Sequence, residues 1–147
     1  MEADEARTRL ERLVPGVTEA FNRDDLDAVM GYFAEDGVYD EFNGTRSVGK
    51  RAIRKAFEPQ FAGAFGRMRF HTEDMFVDAA CGKALIRWTL TLEEPDRQGA
   101  WRGLDILHFR EDGALAEKHT YCKARVPLIR KKAEMEEEES WPEGTAP

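Results

Sequence analysis

Apolar residues recur at helical spacing through the first half of the chain and at alternate positions through the second, and this change of period predicts helices followed by strands. Residues 4–22 carry Leu10, Leu13, Val14, Val17 and Phe21 on one helical face, with Pro15-Gly16 interrupting the run and expected to kink it. Asn22-Arg23 ends this helix. Asp24 or Asp25 can cap a second, shorter one, whose buried stripe is Leu26, Val29, Met30 and Phe33. Glu35-Asp36-Gly37 then turns the chain into a strand from Val38 to Phe42. A polar loop, Asn43 to Val48, leads through Gly49 into a third amphipathic helix with Ile53, Ala56, Phe57 and Phe61 on one face.

From Met68 to Val77 the pattern is extended, and Ala79-Ala80-Cys81-Gly82 reads as a reversal into a strand from Lys83 to Leu92. There Ile86, Trp88, Leu90 and Leu92 alternate with Arg87, Thr89 and Thr91, giving one buried and one wetter face. A polar loop, Glu93 to Gly99, precedes two further strands, Trp101–Phe109 and Ala114–Cys122, joined at Asp112-Gly113. Glycine adopts the positive φ of tight reversals, so Asp112 and Gly113 are expected to form a two-residue turn. Counting back from it sets Asp105 opposite Thr120, Leu107 opposite Lys118 and Gly103 opposite Cys122. A three-residue turn with a Gly bulge would instead set His119 opposite Asp105. After Pro127 the composition shifts: Leu128–Lys132 can extend a short helix, but Glu136–Glu139 and the residues beyond lack apolar surface to offset ordering entropy. The expected organisation is a domain over residues 1–127 and a charged tail over 128–147, a frayed helix and then disorder.

At 147 residues and 41% hydrophobic, the chain suits one globular domain with a proper core. A net charge of −7 argues against a nucleic-acid backbone as partner. No apolar run approaches a membrane span and the start does not read as a signal peptide, so a cytoplasmic protein is expected. Cys81 and Cys122 lack metal or dithiol spacing and read as small buried residues, and His71, His108 and His119 are scattered. Neither a metal nor another cofactor is expected.

The run from Phe21 to Tyr39 (FNRDDLDAVMGYFAEDGVY), the helix start from Gly49 to Phe57 (GKRAIRKAF), and His108-Phe-Arg-Glu-Asp-Gly113 resemble the nuclear transport factor 2-like superfamily over about residues 6–125. That superfamily includes ketosteroid isomerases, SnoaL-like polyketide cyclases and limonene epoxide hydrolases. The resemblance implies an α+β cone, a cystatin-like roll: a curved antiparallel sheet, three N-terminal helices on its concave face, a pocket at the open end and a homodimer on the outer sheet face. By residue count from Phe33, the isomerases' general base falls on Glu41, with Asp40 the substitute if a bulge shifts the strand. Their oxyanion donors fall near Val17 and on Leu107, so both are absent. The epoxide hydrolases' Arg-x-Asp corresponds to Arg87-x-Thr89 and their later Asp to Thr120, so that set fails too. SnoaL-like cyclases remain the nearest functional comparison.

The candidate chemistry therefore centres on carboxylates. Asp105 sits on a strand that otherwise reads as core, where an unpaired carboxylate must border a wet cavity, find a partner or titrate. Asp105, Glu41 and Asp40 are the candidate catalytic residues, and Tyr39, Phe57, Trp88, Trp101, Leu107, Lys118 and Thr120 the candidate ligand contacts. A carboxyl raised by burial could accept or donate a proton near neutrality, with a small hydrophobic carbonyl compound as substrate. Alternatively Lys118 neutralises Asp105 as a structural pair and the aromatics are packing. The cone is then a binding or dimerisation module. Leu104, Ile106 and Tyr121, with His108 and His119 among them, would form an amphipathic dimer face, His108 paired with Glu117.

Overall fold

The computed structural model describes residues 2–123, and the predicted tail lies outside them. Three helices, α1 (Glu2–Asn22), α2 (Leu26–Tyr32) and α3 (Lys50–Phe61), pack on a six-stranded curved sheet of β1 (Phe33–Asp40), β2 (Arg46–Val48), β3 (Arg67–Asp78), β4 (Lys83–Glu94), β5 (Arg97–Phe109) and β6 (Leu115–Cys122). The strand order is β2-β1-β6-β5-β4-β3. Every neighbouring pair is antiparallel except β1 with β6, so the expected antiparallel sheet is a mixed one. The parallel pair arises because β1 enters from the helical layer while β6 returns from a hairpin.

Helix α1 runs unbroken through Pro15. Its Pro-Gly step is a notch for packing: a Cβ at Gly16 would overlap the Tyr32 hydroxyl. Asp24 takes a positive φ of 58° in the link, and Asp25 caps α2, its Oδ1 accepting from the Ala28 N–H at 3.0 Å. Strand β1 begins at Phe33, five residues before the expected Val38, because the Glu35-Asp36-Gly37 segment is a register irregularity within the strand. Gly37 lets the chain pass close to the Leu115 carbonyl oxygen. The expected loop 43–48 contains the short strand β2, and the expected loop 93–99 shrinks to a tight link as β4 and β5 extend.

The last hairpin departs from its predicted form in two compensating ways. The Arg110 N–H donates to Ala114 O at 2.8 Å, enclosing a three-residue turn with Gly113 at φ 89°. A bulge then leaves Ala116 unpaired between the Phe109–Leu115 and His108–Glu117 pairs. The bulge restores the register, so Gly103 faces Cys122, Asp105 faces Thr120 and Leu107 faces Lys118 as predicted.

Alternation along the strands makes one sheet face apolar, and the helices cover it. Leu10, Val14, Val17 and Phe21 of α1 join Ile53 and Phe57 of α3 over Ile86, Trp88, Leu90 and Leu107. Among the described residues no helix is long and apolar enough to cross a membrane.

Candidate functional site

The helices do not fill the space above the sheet completely. A cavity of about 310 Å³ opens between the ends of α1 and α3 and strands β1, β3, β4, β5 and β6. Its body is apolar, built on Phe57, Phe70, Trp88, Leu90, Leu92 and Trp101. Phe57 stacks on Tyr39 with ring centroids 4.5 Å apart, and Trp88 meets Phe70 edge to face at 5.1 Å. Phe42, which faces Trp101 at 6.4 Å, and Phe65 stand exposed beside the cavity.

Polar groups converge on the wall where β1 and β6 lie side by side. Tyr39 pairs in register with Lys118, and Glu41 follows directly after β1. The Glu41 backbone is fixed in both directions, its N–H donating to Thr45 O at 2.8 Å and its carbonyl accepting from Gly44 N at 2.9 Å. Among the described residues Glu41 is the single carboxyl on the cavity lining. Burial raises its pKa, and the Lys118 ammonium offsets part of that rise. Burial likewise holds the Tyr39 phenol protonated far above its usual range, helped by the charges of Glu41 and Asp105. It pushes the Cys122 thiol up to about 11, with Asp105 adding to the effect and Lys118 opposing it. Tyr39 and Cys122 thus stay neutral near neutrality.

Among the described residues Asp105 and Lys118 are the two buried charged ones, at 7% and 5% exposure. Lys118 Nζ donates to Asp105 Oδ1 at 3.0 Å and to Thr120 Oγ1 at 2.7 Å. Asp105 also accepts from Thr120 Oγ1 at 2.6 Å and from Trp88 Nε1 at 3.0 Å. Trp88 can reach it because it lies over Gly103, its partner on β5, where any Cβ would overlap the indole. No buried side-chain nitrogen or oxygen among the described residues lacks a partner.

Of the predicted residues, Glu41, Tyr39, Phe57, Trp88, Trp101, Lys118 and Thr120 meet on the cavity lining. Three do not. Asp105 and Leu107 border a separate void of about 20 Å³ toward α1, room for roughly one water. There the Asp105 carboxylate is paired, which is the partner outcome of its sequence reading. Asp40 points to the outer face, where its Oδ2 lies 3.1 Å from His119 Nδ1. The imidazole near an acid is therefore His119 with Asp40, because the bulge keeps His119 away from Asp105. Cys81, expected buried, is exposed in the β3–β4 turn, where too little chain surrounds it to bury a side chain. Phe70, Leu92 and Cys122 line the cavity without having been named as ligand contacts; strand alternation from Trp88 reaches Leu92, and the hairpin register reaches Cys122.

The outer face carries a hydrogen-bonded chain of its own. Glu117 contacts His108 Nδ1 at 3.2 Å and His119 Nε2 at 3.1 Å, and these bonds, the His108 one foremost, lower its pKa. Ile106 at 37% and Tyr121 at 56% exposure flank it.

Residues 15–118 match the model of the SnoaL-like domain family, and the chain belongs to that family, within the nuclear transport factor 2-like superfamily. No curated protein matches it significantly. Among solved structures, it is similar to a candidate polyketide cyclase of Xanthomonas campestris pv. campestris, 21% identical with a TM-score of 0.69, over 79% of this chain and 91% of that one. It is similar to a protein of Mycobacterium tuberculosis in complex with estradiol-17β-hemisuccinate, 16% identical with a TM-score of 0.67, over 77% and 92% of the two chains. It is also similar to an epoxide hydrolase/cyclase-like enzyme of pyran ring formation in salinomycin, 14% identical with a TM-score of 0.70, over 84% and 95%. At these identities the likeness is one of fold.

Proposed function

We propose that the cavity binds a small, mainly apolar carbonyl compound and that Glu41 moves a proton to or from it, in an isomerisation, aldol-type cyclisation, dehydration or hydrolysis. One observation carries this reading: a carboxyl partly withdrawn from water, with its pKa raised, on the wall of an otherwise largely apolar cavity of about 310 Å³. That volume lies at the low end of the usual range for ligand pockets, roughly 300–1,000 Å³. A carboxyl titrating closer to neutrality is a better acid and base there than an ordinary one. The estradiol derivative in one neighbour and the cyclase-like descriptions of two others support the ligand class.

The superfamily's two other mechanisms fit poorly. Val17 and Leu107, in place of the isomerase donors, are buried aliphatics, and Arg87, in place of the hydrolase arginine, is an exposed outer-face residue paired with Glu73. A second copy of the chain is the partner that the outer sheet face supports, since Ile106, Tyr121 and Phe76 expose apolar surface there. Light scattering tests that.

The functional test is α-proton exchange of β-tetralone in heavy water, followed by NMR. The wild type should accelerate exchange and Glu41→Gln should lose that acceleration by about a hundredfold or more. Quenching of tryptophan fluorescence by the ketone without any acceleration would leave a non-catalytic binding module of the same fold. Absence of both would remove the cavity reading.

A further inference from the structure

We infer that Lys118 is an oxyanion-binding group, which selects from the apolar molecules the cavity admits those whose carbonyl can enolise. The inference rests on the cavity being a small-molecule site. A lysine is almost never buried unless its charge is answered, and here the answering carboxylate stands behind it. Lys118 and Asp105 both border the small void toward α1, but of the two only Lys118 also lines the large cavity. The cation is thus the member of the pair that reaches the ligand space.

The hydrogen-bond inventory sharpens this. An ammonium has three donors, and Lys118 Nζ directs two of them to Asp105 and Thr120. Asp105 is shared among three donors, Lys118, Thr120 and the Trp88 indole, so its charge does not rest on the ammonium alone. Nζ also lies 4.8 Å from the Tyr39 ring centroid and 5.6 Å from that of Phe21, whose π faces attract the cation. Its two hydrogen bonds leave it one hydrogen to donate. An oxygen brought to that hydrogen makes a charge-assisted bond in a site largely shielded from water.

Glu41 and Lys118 then divide one reaction. The Glu41 carboxylate takes a proton from the carbon beside the carbonyl, the C–H electron pair becomes the enolate double bond, and the carbonyl π pair moves onto oxygen beside Lys118. Return of the proton from Glu41 to a different carbon gives an isomer. Attack of the enolate carbon on a second carbonyl of the same molecule closes a ring, Glu41 returning its proton to the new alkoxide. No oxidant or further reactant is needed. The substrate class is therefore an enolisable ketone or a polyketone.

A nitro-substituted para-hydroxybiphenyl tests this, because its phenolate mimics an enolate and is coloured while the phenol is not. Bound to the wild type, it should ionise at a pH at least a full unit below its value in water, a tenfold change in ratio. In Asp105→Asn/Lys118→Met, which removes both charges together, it should ionise above that value, and Lys118→Arg should restore ionisation. A wild-type complex in which the bound phenol ionises no more readily than in water overturns the assignment to Lys118 while leaving the cavity reading intact, and it does so whether or not the double variant folds. Failure of the phenol to bind overturns the cavity reading and this inference with it.

Discussion

Asp40, the last residue of β1, and Glu41, the next in sequence, turn to opposite sides of the sheet, and their surroundings differ accordingly. Asp40 joins the outer chain Asp40–His119–Glu117–His108, every member half-exposed. Glu41 faces a cavity of aromatic side chains, where burial raises its pKa. The same alternation separates Asp105 and Lys118, buried and mutually bonded, from the exposed contacts of Glu73 with Arg87 and Arg102. Side chains alternate with a period of two along a strand, so a shift of one residue decides whether a carboxylate is solvated or held in a low dielectric. Outer-face charges contribute solubility and weak pairing, while inner-face charges must be answered atom for atom.

The strongest way to break this contrast is to leave one inner charge unanswered. Lys118→Met strands the Asp105 carboxylate and should cost about 3–5 kcal/mol, whereas Asp105→Asn/Lys118→Met should recover most of that loss. Urea unfolding of both variants reads the difference, and equal stability of the two would mean that the pair is not coupled.

A second test acts on the packing that holds the inner network. Gly103→Ala places a methyl group against the Tyr121 carbonyl oxygen and the Trp88 ring, and should destabilise by about 1–3 kcal/mol. It should also displace the indole from Asp105, visible as a shift of the Trp88 indole N–H resonance. A wild-type melting temperature and an unmoved resonance would show that the strand has room there.

The smallest effects compare the adjacent acids directly. The folded-state pKa of Glu41 lies above its ordinary value of 4.5, so its contribution to stability is fullest below that value and declines as pH rises through it toward the raised one. Glu41→Gln should abolish that decline and be more stable than the wild type above the window, by no more than about 1.4 kcal/mol per unit of elevation. Asp40→Asn should change stability by about 0–1 kcal/mol, in a salt-sensitive manner, as expected of an exposed pair. Thermal melts from pH 4 to 8 separate the two; a pH-independent Glu41→Gln difference would mean that the carboxyl is ordinary.

The sequence by itself determined the order of the long elements and the buried face of each, since periodicity and chain direction are local properties, but it left open whether Glu41 or Asp40 turns inward. It also placed Asp105 opposite Thr120, although by way of a two-residue turn; the three-residue alternative is the one that forms, and the Ala116 bulge restores the count. Only the tertiary structure decided what lay across the gaps: β1 beside β6, the Trp88 indole folded over Gly103 onto Asp105, and the direction of the Asp105–Lys118 pair relative to the cavity. Those depend on contacts between residues 13 to 82 positions apart. Such contacts form when separate elements pack together, and no local pattern records which side of a buried pair will face empty space.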